Sequence, residues 1–288
     1  STGDCKVTVY PVFSGIELVY YDVHMQSCDI DLAKGREMLI ITHCQEGRIE
    51  FEYKNGEYLY LASGDLSIQK NTENIRHRYC PLSHYHGVSV AIDMNRVPRC
   101  FSCILDDVFV SPEELEMKFC YEKPYAIMRE NISIEHIFSE LYSVPENIRK
   151  GYHKVKVLEL LLFLSGLEYM GESEERRYFS RSQVTAAKEA KKYLLAHLDE
   201  HITITELADM LGISSTSLKI CFKGVYGDTI NGYITNCKMQ KAASLLKNTD
   251  KSVLEIAGIV GYNNGSKFAG AFRRVMNKSP NEYRKSLV

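Results

Sequence analysis

The spacing of apolar positions changes period along the chain. From residue 7 to about 110, short runs rich in Val, Ile, Tyr and Phe are broken by Gly, Asn and Asp, which predicts strands. Residues 48–61 form the clearest hairpin. Asn55-Gly56 suits a two-residue type I′ turn, because both central residues need positive φ. That register sets Lys54 opposite Glu57, Tyr53 opposite Tyr58 and Phe51 opposite Tyr60, with the aromatics on one face. Many short strands with turn signals predict a β-barrel or sandwich. From Ser111 the period becomes helical. Ser111-Pro112-Glu113-Glu114 is a helix start, with Ser as cap and Pro in the first turn. Longer helices follow over 132–144 and 148–169. The second is apolar nearly all round over 155–167 and therefore needs cover on several sides. Residues 171–177 are polar without apolar periodicity and read as a linker. From about 183 the chain is helical to its end.

The last hundred residues hold a repeat of about 50. Thr203-Ile204-Thr205-Glu206 recurs as Ser252-Val253-Leu254-Glu255, both capping boxes. Leu207-Ala208 recurs as Ile256-Ala257, Gly212 as Gly261, Phe222-Lys223 as Phe272-Arg273 and Tyr233 as Tyr283. Each unit reads as helix, glycine turn, helix. The Ala admits a close crossing, and the Gly accepts the left-handed conformation that ends the first helix. Ile213, Leu218 and Phe222 hold the second helix of one unit on the core; Tyr262, Phe268 and Phe272 do so in the other. Helix-turn-helix motifs present that second helix outward to a DNA major groove.

Charge sharpens this division. Residues 180–288 carry 16 Lys/Arg against 9 Asp/Glu, and residues 1–179 carry 19 against 28, within a chain of 288 residues and net charge −2. An acidic front and a basic rear predict two domains with different partners, the rear suited to a polyanion. The densest apolar run, 157–164, is far short of the ~20 residues that span a bilayer, so no membrane partner is expected. No secretory signal pattern is visible. A cytoplasmic location and free thiols for the nine cysteines are the expectation.

Gly261-Tyr262-Asn263-Asn264, Phe268, Phe272-Arg273-Arg274 and Ser279-Pro280-Asn281-Glu282-Tyr283-Arg284 resemble the signature of AraC/XylS-type transcription regulators. So do the Glu-Leu-Ala, Leu-Gly-Ile-Ser and Lys-Met-x-x-Ala segments within 204–246. The resemblance covers about 184–287. In front, Gly64-Asp65-Leu66 and residues 85–93 look like the cupin-type barrel that many such regulators carry. The resemblance implies an α+β chain: a cupin-like, effector-binding β-barrel over 1–110, a helical dimerisation segment over 111–171 and a linker over 172–182. An all-α DNA-binding domain of seven helices with two helix-turn-helix units would follow over 183–288, its joining helix at 229–247. It implies double-stranded promoter DNA, an unknown small-molecule effector and a second copy of the chain as partners, with RNA polymerase a further one. No catalytic residue and no cofactor are implied. Two alternatives stand beside it: a constitutive DNA-binding regulator whose barrel makes protein contacts, and a cupin metalloprotein with an appended DNA-binding domain.

The resemblance also marks positions. In the first unit Ser215, Thr216, Lys219 and Ile220 occupy the family's base-contacting places, and Lys223 suits phosphate. The matching set is Asn264, Gly265, Ser266, Ala269 and Gly270, flanked by Arg273 and Arg274. Gly265, Ala269 and Gly270 offer no long donor, so the second unit is expected to anchor phosphates and the first to read bases. For an effector the strand faces offer aromatic Phe51, Tyr53, Tyr58 and Tyr60 and polar His24, Arg36 and His43. His77, Cys80, His84 and His86 are weak metal candidates, and no metal is expected: His43-x-Gln45-Glu46 does not supply the His-x-His and Glu of a cupin centre. Cys100-x2-Cys103 could form a thiol switch, and Met38, Met94 and Met117 read as core filler.

Overall fold

A computed structural model describes residues 3–27, 36–70, 75–98, 110–129, 132–168, 179–200 and 202–286. The chain divides into two compact units, Ser1–Tyr178 and Phe179–Val288.

The front unit is built on antiparallel strands β1 (Cys5–Phe13), β2 (Ile16–Val23), β3 (Met38–Tyr53), β4 (Tyr58–Ala62), β5 (Leu66–Lys70), β6 (Ile75–Tyr79), β7 (Tyr85–Asp93) and β8 (Tyr125–Met128). Their order is β1-β2-β7-β3-β5-β8, with β4 and β6 paired to the far half of β3. The path ends at β1 and at β8, so among the described residues the expected barrel is an unclosed sheet. The long β3 serves both ladders. It changes partners beyond a bulge between Cys44 and Glu46, followed by Gly47 at φ 81°. A bulge bends and twists the strand that carries it.

The 48–61 hairpin forms in a different register from the expected one. Glu52 pairs with Tyr58, Phe51 with Leu59 and Glu50 with Tyr60. Only Gly56 of the Asn-Gly pair has positive φ, at 85°. The Asn55 side chain instead accepts the Glu57 N–H at 3.0 Å, and the Tyr53 N–H donates to the Glu57 carbonyl at 2.9 Å. This Asx-closed loop takes one residue more than a type I′ turn, and a one-residue slip exchanges faces. The aromatics are therefore split. Phe51 and Tyr53 join Leu59 and Leu61 in one apolar cluster. Tyr60 lies across from them and donates to Glu50 Oε2 at 2.6 Å.

One face of the sheet is covered by α1 (Pro112–Cys120), α2 (Ile132–Leu141) and α3 (Arg149–Gly166). Ser111 caps α1 as expected, accepting from the Glu114 N–H. Leu39, Ile41, Val88 and Val90 of the strands meet Phe119, Phe138, Leu160 and Leu164 of the helices. The other face carries Val19, Met38, Ile40 and Ala91 at one end and the Phe51–Tyr53 cluster at the other. Thr42, Ser67, Gln69 and Ser89 are buried polar residues on the same strands, and the Thr42 and Ser89 hydroxyls meet at 2.7 Å. Two expectations fail here. Met117 is 59% exposed on α1 and fills no core. Cys5 is disulfide-bonded, whereas Cys44, Cys80, Cys120, Cys221 and Cys237 are free.

The rear unit comprises α4 (Arg181–Ala196), α5 (Ile204–Met210), α6 (Ser215–Tyr226), α7 (Ile230–Asn248), α8 (Val253–Ile259), α9 (Gly265–Met276) and α10 (Pro280–Lys285). Thr203 with Glu206 and Ser252 with Glu255 form the two expected capping boxes. Gly212 and Gly261 stand at φ 65° and 77°, which a β-carbon disfavours. The duplication extends to ring geometry. Phe222 and Tyr233 pack edge-on with centroids 5.6 Å apart at 76°, and Phe272 and Tyr283 at 5.5 Å and 81°. Most of the expected linker lies outside the described residues; Arg181 and Ser182 already belong to α4.

Candidate nucleic-acid interface

Helix α6 is held by its inner face. Leu218, Cys221, Phe222, Val225 and Tyr226 are buried, and Ser214 caps the N-terminus by accepting from the Ser217 N–H. That fixes what faces solvent: Thr216, Lys219 and Lys223 are exposed, and Ser215 and Ile220 half-buried at the rim. Helix α9 repeats the arrangement with Phe268, Ala271 and Phe272 inward and Asn264 as cap, its Oδ1 accepting from the Lys267 N–H at 2.9 Å. Ser266, Gly270, Arg273 and Arg274 are exposed, and Gly265 and Ala269 half-buried. A β-carbon at Gly270 would meet nothing within 4 Å. The glycine is thus not needed for packing within the chain, and it leaves that face of α9 flat.

One exposed cation escaped the sequence reading. Lys267 stands in the first turn of α9, three and seven residues before Gly270 and Arg274, and so shares their outer face. Helical spacing alone was signal enough to find it. Two other lysines turn inward instead. Lys191 lies 4.9 Å over the Tyr226 ring, and Lys238 lies 5.7 Å over Tyr262. Burial lowers the pKa of both. They brace the two helix pairs in equivalent fashion and add less to the outer surface than their formal charges suggest.

Residues 207–286 match the family described as a helix-turn-helix domain. The chain is 31% identical over 153 residues to the xylose operon regulatory protein of Escherichia coli (strain K12), which spans 50% of this chain and 39% of that protein. It is 34% identical over 83 residues to a Streptomyces lividans protein named as an AraC-like transcription regulator, across 29% of this chain and 27% of the other. The rear unit is an AraC/XylS-type domain. A solved regulator from Chromobacterium violaceum, described as an AraC-type DNA-binding domain-containing protein, aligns at 26% identity and TM-score 0.34. That alignment covers 36% of this chain and 93% of that one. The chain thus spans about two fifths of the length of the xylose-operon relative. Among the described residues no helix is long and apolar enough to cross a membrane.

Ahead of the AraC/XylS-type domain, the structure does not gather the expected effector residues. Phe51 and Tyr53 face the apolar interior of the sheet; Tyr58 and Tyr60 take the other face of the hairpin. His43 points into the helical layer, stacked on Phe138 at 4.4 Å with Nδ1 3.1 Å from the Tyr142 hydroxyl. Arg36 is exposed and lines a cleft of about 120 Å³ with Met38, Ala91, Asp93 and Arg96. His24 is exposed near Asp22 and His86. The His77, Cys80, His84 and His86 set is dispersed as well: His77 is exposed on β6, Cys80 is buried, and only His86 enters a group of adjacent ligand atoms among the described residues. Cys100 and Cys103 lie outside the described residues.

Proposed function

We propose that the chain is a sequence-specific, DNA-binding regulator of transcription whose two helix-turn-helix units, α5–α6 and α8–α9, read double-stranded promoter DNA. The observation that carries this is the matched pair of outward helices, each pinned by a buried aromatic face and each presenting cations to solvent. In helix-turn-helix proteins such helices enter major grooves, and successive grooves on one face of the duplex recur every ~34 Å. Lys219 would donate to guanine O6 and N7, and Thr216 and Ile220 would touch thymine methyls. Lys223, Lys267, Arg273 and Arg274 suit phosphates. The front unit is read as a small-molecule sensor. Its support is the buried polar row Thr42, Ser67, Gln69 and Ser89 and the Arg36 cleft beside Met38 and Ala91 on the same sheet face. The outer side of α3, where Val155 is 62% exposed, supports pairing of two copies.

Selection of bound duplexes from a random pool with the full chain tests the central reading. The expected outcome is one enriched site with two blocks a helical turn apart. Lys219→Ala should relax base preference in one block, and Ser266→Ala should leave preference largely intact. No enrichment at low salt would overturn the proposal; equal loss of discrimination from both variants would overturn the division of labour.

A further inference from the structure

We propose that Asp22, His24 and His86 form a binding site for a divalent first-row transition-metal ion on the outer surface of the front unit. Three neighbouring strands build it. Asp22 on β2 is the register partner of His86 on β7, so their side chains stand side by side on one face. His24 follows two residues after Asp22 and projects to the same side. Its backbone N–H is tied to the Asp4 carbonyl at 2.8 Å. On the far side of β7, the bulge in β3 skips Gln45 and makes Glu46 the partner of His86. Without that bulge Glu46 would face the opposite side of the sheet.

The three donor atoms converge. Asp22 Oδ1 lies 2.9 Å from His24 Nε2 and 3.1 Å from His86 Nε2, and the two imidazole nitrogens are 3.5 Å apart. Ligand atoms held ~2.0–2.2 Å from one ion are spaced about 3.3–3.6 Å apart in a tetrahedron and about 2.8–3.1 Å apart in an octahedron. The two Asp22 edges match the octahedral spacing and the edge between the imidazoles the tetrahedral one. The rings meet at 88°, so both lone-pair directions can aim at one point without stacking. Glu46 Oε2 sits 3.4 Å from His86 Nδ1. A carboxylate on that side favours the tautomer that turns the Nε2 lone pair toward an ion, as the second layer of metal-binding histidines commonly does. Two histidines and one carboxylate make a donor set with positions left open for water, suited to Zn²⁺, Co²⁺, Ni²⁺ or Fe²⁺. Side-chain exposures of 55% for Asp22, 53% for His24 and 30% for His86 leave room for an ion to enter. Neither the linear His77–His86 pattern nor the AraC/XylS signature marks this site, because it depends on strand register.

Isothermal titration of tag-free full-length protein with Zn²⁺ tests it. We expect one ion per chain that is lost in His24→Gln, His86→Gln and Asp22→Asn and kept in His77→Gln. Glu46→Gln should weaken binding by about 10–100-fold. X-ray absorption of the zinc-loaded wild type should show a nitrogen and oxygen shell with imidazole signals, a readout that does not depend on how the variants fold. No zinc binding by wild type, binding that survives the His24→Gln/His86→Gln pair, or a sulfur shell from the free thiols would each overturn the proposal.

Discussion

Burial holds His43 in its neutral form. Its ring is stacked on Phe138, Nδ1 meets the Tyr142 hydroxyl, and Nε2 has no hydrogen-bond partner in the interior. Loss of hydration disfavours the imidazolium and pulls the pKa from 6.5 down to about 4. The unfolded chain therefore binds the proton first as pH falls. The stability that His43 contributes is complete above pH 6.5 and is lost as pH drops through 4. A shift of that size corresponds to roughly 3 kcal/mol when fully expressed. His153 acts in the same sense, lowered by burial and then by Arg149. We expect the denaturant midpoint of the front unit to fall between pH 7 and 4, and His43→Phe to flatten that slope. Equal slopes in both proteins would show that His43 is already solvated. The residue was a reasonable effector candidate by composition. Its real environment depends on which strand face carries position 43, and on Phe138 and Tyr142 lying nearly a hundred residues away.

Elements differ in how much of themselves they write locally. The rear helices announce their boundaries with hydroxyl caps and reciprocal carboxylates: Thr203 with Glu206, Ser252 with Glu255, Ser279 with Glu282. The expected joining helix, 229–247, matches α7 to within a residue, with Thr229 as its cap. The front strands carry no such marks. Asn55-Gly56 admits two turns, and the Asn55 side chain selects the longer one. The bulge at Gln45 and the loss of barrel closure follow from pairings that single-strand periodicity cannot see. The duplicated turns offer a test at this scale. Gly212 and Gly261 share a left-handed backbone, but a β-carbon at Gly212 would meet nothing within 4 Å. At Gly261 it would lie 2.8 Å from the Asp199 carbonyl oxygen. Gly212→Ala should cost about 1–2 kcal/mol from backbone conformation alone. Gly261→Ala should cost clearly more, because the nearest atom is backbone and cannot swing away. Denaturant melts of the two variants decide this, and equal losses would place the whole penalty in the dihedral angle.

For the molecule as a whole, the uneven charge is the feature that turns fold into behaviour. The basic excess of the rear unit is not a uniform coat: Lys191 and Lys238 lie over tyrosine rings, while Lys219, Lys223, Lys267, Arg273 and Arg274 stand on two outward helices. The first-unit positions could be read from the chain because each lies at a fixed offset from a cap and a glycine. Lys267 lies among small residues and is marked only by its helical spacing from Gly270 and Arg274. If these cations neutralise DNA phosphates, each releases condensed counterions. Log affinity then falls linearly with log salt, with a slope of about 0.9 per phosphate contact. Lys267→Ala and Arg273→Ala should each reduce that slope by about one and weaken all sequences alike. Lys219→Ala should alter the ranking of base-substituted sites. Lys191→Ala should leave the slope nearly unchanged and lower the melting temperature instead, since its ammonium rests on Tyr226 rather than on solvent. Fluorescence anisotropy across a salt series, with the selected duplex and a scrambled one, separates the three classes. Identical slopes for Lys267→Ala, Lys191→Ala and wild type would mean that α9 does not touch the backbone, and the second helix pair would then be a brace for the first.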